Sequence, residues 1–342
     1  MGFSSQSGQV LFGSQPTADT FPSTFGTTAI AMKLRSGSLA PNRELLVTDP
    51  EIGGGRDVSD AYLGAVSWAG DYEFYVRLEA ITTLIKAVFG TAATVILGTQ
   101  TTPAAPYQHT ITPSDSATLP FMSVEERIGS GLETYNYTDV VGNTFHLEGE
   151  ANGYLIGTAG LIARKQIAGA TATAAPVWDN TPLIVGTSIA ITYGGVTLPA
   201  KSFAFDVNNN IEDDDFRLGS FFLGDLTAKQ REVNGSFAIR PADSEFWRQA
   251  VYGVSGATAP GGLTTKSALT ITCTTYEDIV DSTPTAKSSI AITIPKVILE
   301  PYALEPSGDD VIENDISWRA VRPSLGTPIC TVVVKNGKAA IA

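Results

Sequence analysis

The sequence predicts a mainly β protein with two tandem β-sandwich domains, each carrying a flanking α-helix and a long extended loop. Three observations lead to this prediction. Short segments of alternating apolar and polar residues, separated by Gly, Pro, Asn and Asp, recur along most of the chain. A strand followed by a helix that ends at glycine occurs twice, about 165 residues apart, as from Gly70 to Gly235. The 342 residues suffice for two β domains of ordinary size.

The repeated strand-helix unit is the clearest sign of a duplication. Apolar and polar side chains alternate over 70–78, as in a half-buried strand, and over 79–89 the apolar spacing becomes helical before Gly90 ends the helix. The second copy is a strand over 231–239 and a helix over 243–253, with Asp243 or Ala242 in its N-cap region. A two-residue gap aligns the copies, which indicates an ancient duplication.

Domain boundaries follow from this repeat and from changes in composition. Further strands are predicted over 44–48, 145–150, 154–163, 202–207, 289–299, 315–321 and 329–334. The chain then divides into an N-terminal arm (1–29), a first domain (30–165), a linker rich in Ala, Thr and Gly (166–181), a second domain (182–337) and a C-terminal tail (338–342).

Composition and charge exclude several classes of function. The formal net charge of −13 argues against a protein that grips nucleic acid, because that mode of binding needs clustered Lys and Arg. The N-terminus lacks the pattern of a signal peptide and no apolar run is long enough to span a bilayer, so we expect a cytosolic product without membrane insertion. Cys273 and Cys330 lie in apolar, strand-like segments and are interpreted as small core residues.

Two long polar loops, over 49–63 and 208–226, are too long for tight turns and are candidates for reaching a neighbouring subunit. The candidate contact residues are Asp49, Glu51, Gly53, Gly54, Gly55, Arg56 and Asp57 in the first loop, and Asn209, Asn210, Asp213, Asp214, Asp215 and Arg217 in the second.

Motifs that would carry chemistry are incomplete. The only two histidines, His109 and His146, lie near no nucleophile elbow. The segment 206–215 begins like a calcium-binding loop, but Ile211 replaces the required glycine and Arg217 the final glutamate. The glycines at 53–55 lack the Lys-Ser/Thr pair of a phosphate-binding loop. The sequence therefore predicts no enzyme activity, cofactor or metal.

With these elements in order, the chain resembles the major tail tube proteins of siphophages, in the larger variety with a duplicated tube domain. The resemblance covers residues 30–335 and rests on the order of several motifs. They are EIGGGRD (51–57) before the first strand-helix unit, HTITP (109–113), LEGEA (147–151), and FAFDVNNNI (203–211) followed by VNGSF (233–237).

The resemblance implies a fold and an assembly. In this family, which is related in fold to contractile-tail and type VI secretion tubes, each tube domain is a β-sandwich with a flanking helix. Six domains form a ring whose inner sheets join into a β-barrel, and rings stack into a tube. A chain with two such domains would form the ring as a trimer, which is an inference from the repeat.

The resemblance also implies a function. The chain would be a structural virion protein of the tail, assembled in the host cytoplasm, whose tube conducts DNA from capsid to host. Its partners would be other copies of itself, the tape measure protein, the tail terminator and the distal tail or baseplate proteins, with double-stranded DNA passing without sticking. The net charge predicts an acidic lumen, and the candidate lumen-facing residues are Glu73, Glu148, Glu150, Glu313 and Asp315.

Two alternatives stay open from the sequence. A terminator or distal tail protein of similar build would close into one ring and stop. A tandem β-sandwich adhesin or carbohydrate-binding protein would stay monomeric and would need an export signal.

Overall fold

The structure is a computed structural model that describes residues 4–97, 106–129, 131–279, 285–304 and 312–342. Among the described residues, strand accounts for 51% and helix for 8%, which confirms the prediction of a mainly β protein. The elements of the first half are β1 (Gln9–Ser14), α1 (Phe25–Thr28), β2 (Ile30–Met32), β3 (Leu34–Gly37), β4 (Ala40–Val47), β5 (Ala61–Tyr75), α2 (Ile81–Phe89), β6 (Gly90–Ile96), β7 (Tyr107–Pro113), β8 (Met122–Ile128), β9 (Glu133–Glu150) and β10 (Ile156–Ala168). The elements of the second half are β11 (Ile189–Tyr193), β12 (Val196–Leu198), β13 (Ala200–Asn208), β14 (Ile211–Glu212), β15 (Thr227–Ala228), β16 (Glu232–Ile239), α3 (Glu245–Tyr252), β17 (Ser267–Asp278), β18 (Lys287–Leu299), β19 (Asn314–Ala320) and β20 (Thr331–Asn336).

Seven strands form one antiparallel layer that runs through both halves of the chain, here named the main sheet. Its order is β4–β5–β10–β9–β13–β16–β19, and β3 precedes β4 along the same edge of β5. The halves meet at the β9–β13 pair, in which residues 202–208 lie opposite residues 150–144. A ladder of backbone hydrogen bonds therefore joins the two halves directly.

A second layer of strands packs against the apolar face of the main sheet. It contains β2–β1–β8 with the N-terminal part of β9 in the first half, and β12–β11–β17–β18–β20 in the second. The β6–β7 hairpin leaves the first half and pairs with β20, with Thr110 opposite Val333. Strand pairing therefore connects the two halves in both layers, through β9 and β13 in the main sheet and through β7 and β20 in the second layer.

A contiguous hydrophobic core runs through both halves. Helix α2 lies inside it, with Leu84, Ile85 and Val88 fully buried. Cys273 and Cys330 are also buried there as free thiols, which confirms their interpretation as core residues. Burial raises the pKa of each thiol to about 12.

The N-terminal arm and the linker are more ordered than their composition indicates. Strand β1 lies within the predicted arm, and its Leu11 and Phe12 are fully buried between β2 and β8. The linker begins inside β10, and its buried Asp179 accepts hydrogen bonds from the backbone N–H groups of Glu79 (3.0 Å) and Ala80 (2.7 Å) at the start of α2. This carboxylate thus supplies acceptors at a helix N-terminus, where intrahelical partners are lacking.

Both predicted helices exist, with small shifts in their starts. Helix α2 begins at Ile81, and α3 begins at Glu245 with Ser244 at its N-cap. Asp243 lies one residue earlier and accepts a hydrogen bond from the Glu245 N–H at 2.9 Å. Within the described ranges, no helix is long and apolar enough to cross a membrane.

Candidate functional site

The main sheet has one apolar and one polar face. Residues that face one another in an antiparallel register lie on the same side of the sheet, so the register assigns side chains to each face. Phe74, Leu147 and Phe237 point into the core and are fully buried. Their chain neighbours point to the opposite face, which is exposed or half-buried in the single chain.

The polar face consists of four rows of side chains that cross the sheet. The rows are Asp71, Gly160, Thr144, Asn208 and Glu232; Glu73, Thr158, His146, Asp206, Asn234 and Arg319; Tyr75, Ile156, Glu148, Ala204, Ser236 and Ser317; and Glu150, Ser202, Ala238 and Asp315. Most of the uncharged members are small. Carboxylates are therefore the main side chains that project from this face.

The charges on this face are strongly one-sided. Seven members of the four rows are acidic, namely Asp71, Glu73, Glu148, Glu150, Asp206, Glu232 and Asp315, whereas Arg319 is the one Lys or Arg among them. Arg319 lies 3.4 Å from the carboxylate of Glu300. The face is consequently negative near neutral pH.

His146 and Asp206 meet across the junction of the two halves. The Nδ1 of His146 on β9 lies 2.6 Å from Oδ1 of Asp206 on β13, and its Nε2 lies 3.5 Å from Oε2 of Glu148. The hydrogen bond to Asp206, helped by the charges of both carboxylates, raises the pKa of His146 above its usual value, although burial opposes the rise.

The structure brings together four of the five predicted lumen-facing residues. Glu73, Glu148, Glu150 and Asp315 all lie in the rows of the polar face, and Glu73 is paired with Arg35 at 2.5 Å. Glu313 lies just before β19, where its carboxylate contacts Lys201 and Arg240.

The first predicted loop joins β4 to β5 and is exposed along its length. All seven of its candidate residues are exposed, from Asp49 to Asp57. Apolar side chains in and beside this loop are exposed as well, namely Leu45, Leu46, Val47, Ile52, Val58, Tyr62 and Leu63. Such a concentration of exposed apolar side chains is typical of a region that contacts another molecule.

The second predicted loop joins β13 to β16 and folds back onto the first half. The N–H of Val66 on β5 donates to the carbonyl of Phe221 at 2.8 Å. Leu223 and Leu226 are buried in a cluster with Val141 and Ile162. This loop therefore covers one end of the polar face of the first half.

The candidate residues of the second loop occupy different environments. Asn209 is fully buried, and Asn210 is half-buried with a positive φ of 47°. Asp213 and Asp214 are exposed. The side chain of Asp215 binds Arg217 at 2.6 Å, and this hydrogen bond lowers the pKa of the Asp215 carboxyl.

Sequence reasoning missed three acidic members of the polar face. Asp206 lies in the same row as the predicted Glu73, and Asp71 and Glu232 lie in the adjacent row. Their alternation with the buried Tyr72, Phe205 and Val233 was available as a signal. What alternation does not reveal is that both halves turn these residues toward one continuous face.

Comparison with known proteins agrees with this architecture. Residues 5–320 match the model of a family described as phage tail tube protein. A search among curated proteins returns no significant match.

Proposed function

Because the chain belongs to the phage tail tube protein family, we propose that it polymerises as stacked rings into a hollow tube that conducts DNA from the capsid to the host. Membership of this family gives the protein a structural role in the virion tail. The observation that carries the finer proposal is the main sheet, with one face in the core and a polar, acid-rich face spanning both halves. In the tube, this polar face lines the bore.

The open edge of the main sheet supports assembly through strand pairing. Among the described residues, β3 and β4 pair with β5 and with no other strand. Their outer edge leaves backbone N–H and C=O groups unpaired, and such an edge pairs readily with another chain. Closure of several copies into a barrel removes the open edges. A further contact between rings that does not close on itself then produces a filament.

We propose that three chains form each ring. One chain supplies two related halves, and these already meet side by side at the β9–β13 pair. If the same junction forms between neighbouring chains, three copies supply a ring of six similar halves. The related halves in the chain thus replace two separate subunits.

An acidic bore suits the passage of DNA. A cationic wall would bind phosphates and release their counterions, and DNA would stick to it. A negative wall repels DNA, and at physiological salt a Debye length of about 8 Å confines the repulsion to the region near the surface. DNA is then held toward the axis and slides. This role requires no catalytic group or cofactor in the chain.

Other tail proteins would bind such a tube at its two ends and in its interior. We propose that the terminator and the distal tail or baseplate proteins bind the two ends, and that the tape measure protein occupies the bore before DNA does. Assembly takes place in the host cytoplasm.

Electron microscopy of the purified protein tests the proposal. We expect long hollow tubes of uniform width, with three copies in each ring after symmetry determination and the four rows of the polar face toward the lumen. Single closed rings would contradict stacking. Six chains per ring would contradict the trimer, and a bore lined by basic residues would contradict the transport mechanism.

A further inference from the structure

The internal repeat can be aligned residue by residue at two glycines. Gly70 on β5 and Gly235 on β16 each approach the backbone of a preceding segment so closely that a Cβ atom would collide with a carbonyl oxygen. This oxygen belongs to Ser38, between β3 and β4, in the first case and to Ala204 on β13 in the second. Beyond them lie Leu161 and Trp318, their registered partners on β10 and β19. The two glycines therefore occupy equivalent positions in the two halves.

This alignment makes the two long loops equivalent. Val58 in the first loop and Leu223 in the second stand the same number of residues before the two glycines. Leu223 is only 1% exposed, because its loop lies on the first half of the same chain, whereas Val58 is 65% exposed. The first loop thus lacks the cover that its equivalent has within the chain.

The surface of the first half on which the second loop packs has an equivalent on the second half. Leu223 packs in a cluster with Ile162 on β10 and its registered partner Val141 on β9. Leu161 corresponds to Trp318, so the next residue, Ile162, corresponds to Arg319. Val141 is the registered partner of Ile162, and it therefore corresponds to Ile298, which is the registered partner of Arg319. The pair Ile298 and Arg319 lies on the second half, at one end of the polar face.

The charges of this second-half patch complement those of the first loop. Val66 binds the second loop through its backbone, and its equivalent in the second half is Arg231. The second-half patch thus has arginines, Arg231 and Arg319, at two positions where the first half has apolar residues. The first loop and its base carry Asp49, Glu51, Asp57 and Asp60 against a single Arg56. A surface cavity of about 510 Å³ opens beside the patch, between Arg231, Val321 and Arg322.

We propose that the β4–β5 loop of one copy docks on the second half of another copy, with Val58 against Ile298 and the loop carboxylates near Arg231 and Arg319. This inference rests on the proposed polymerisation and names the surface that receives the loop. The occupant is a second copy of this chain, because the second loop already shows how an equivalent loop lies on the preceding half. Docking would also cover Arg319, which leaves the bore more acidic.

Cross-linking between differently marked copies tests the docking. Tubes are assembled from a mixture of chains carrying Val58→Cys and chains carrying Ile298→Cys, and are treated with a short thiol-reactive bismaleimide. The native Cys273 and Cys330 are buried and, with thiol pKa values of about 12, should not react. Thr293→Cys, exposed on the same strand and about 17 Å from Ile298, replaces Ile298→Cys in the matched control.

The outcomes separate the docking from the polymerisation. We expect cross-linked dimers in the Val58 and Ile298 mixture, in at least tenfold excess over the Thr293 control. Normal tubes without these dimers, or with equal cross-linking to Thr293→Cys, would refute the docking and leave the proposed tube intact. A wild-type chain that forms no polymer at any concentration would refute both.

Discussion

Replacing Asn209 by alanine removes the side chain that fastens the start of the second loop to the first half. The side-chain amide is fully buried and donates to the backbone carbonyls of Val88 at 2.8 Å and Gly142 at 2.9 Å. Its oxygen accepts a hydrogen bond from Nε of Arg231 at 2.9 Å. One side chain thus connects the end of α2, strand β9 and the base of β16.

The expected loss of stability follows from these three hydrogen bonds. A buried hydrogen bond contributes about 1 kcal/mol net, and a buried partner left without a bond costs more than that mean. Three bonds lost from one buried site therefore predict a fall of about 3 kcal/mol in the free energy of unfolding. The loop should also loosen, because its base loses this attachment.

Urea unfolding of the unassembled chain measures the first effect, and amide hydrogen exchange measures the second. The Val66 N–H, which donates to Phe221 in the second loop, should exchange faster in Asn209→Ala. Asn42→Ala, at an exposed site on β4, is the control and should change stability by less than about 0.5 kcal/mol. A loss below about 1 kcal/mol in Asn209→Ala, with unchanged exchange at Val66, would show that the loop is held in another way.

Three further predictions concern assembly and transport. Deleting residues 51–57 should leave a folded chain that does not polymerise, as judged by circular dichroism and electron microscopy, and normal tubes from this variant would contradict the role of the loop. Replacing Glu148 and Glu150 by Lys should preserve tubes but slow DNA ejection, more strongly at low salt; unchanged ejection kinetics would count against the acidic bore. His146→Gln should reduce stability most below about pH 6, because the folded state raises the pKa of His146 and binds its proton more tightly than the unfolded chain. The difference from wild type should shrink as pH rises through the folded-state pKa, and a difference that grows with pH would refute the pairing with Asp206.

The strands and their faces could be predicted from local pattern. Alternation of apolar and polar residues placed Tyr72 and Phe74 inside and Glu73 outside, and the register of β5 agrees. The same local logic found both helices, because a change of apolar spacing followed by glycine depends on neighbouring residues alone. The acidity of the polar face was likewise foreseeable, since the chain has few basic residues to place there.

The long-range partners could not be predicted in this way. Asp179 binds the start of α2 from a segment about 100 residues later in the chain, and its composition resembles that of a flexible linker. The β6–β7 hairpin pairs with β20 near the other end of the chain. A strand carries the same alternation whichever strand it pairs with, so its pattern does not identify its neighbour.

The sequence by itself determined the class of fold and the side of each strand that meets the core, because these depend on the spacing of apolar residues within short segments. Only the tertiary structure decided that the two halves share one polar face and that their equivalent loops differ. Asn209 and Leu223 are buried because the first half lies beneath their loop, whereas Val58 is exposed because the same chain offers no equivalent surface to it. Burial of a loop residue depends on what lies across from it, and that is a property of the assembled fold.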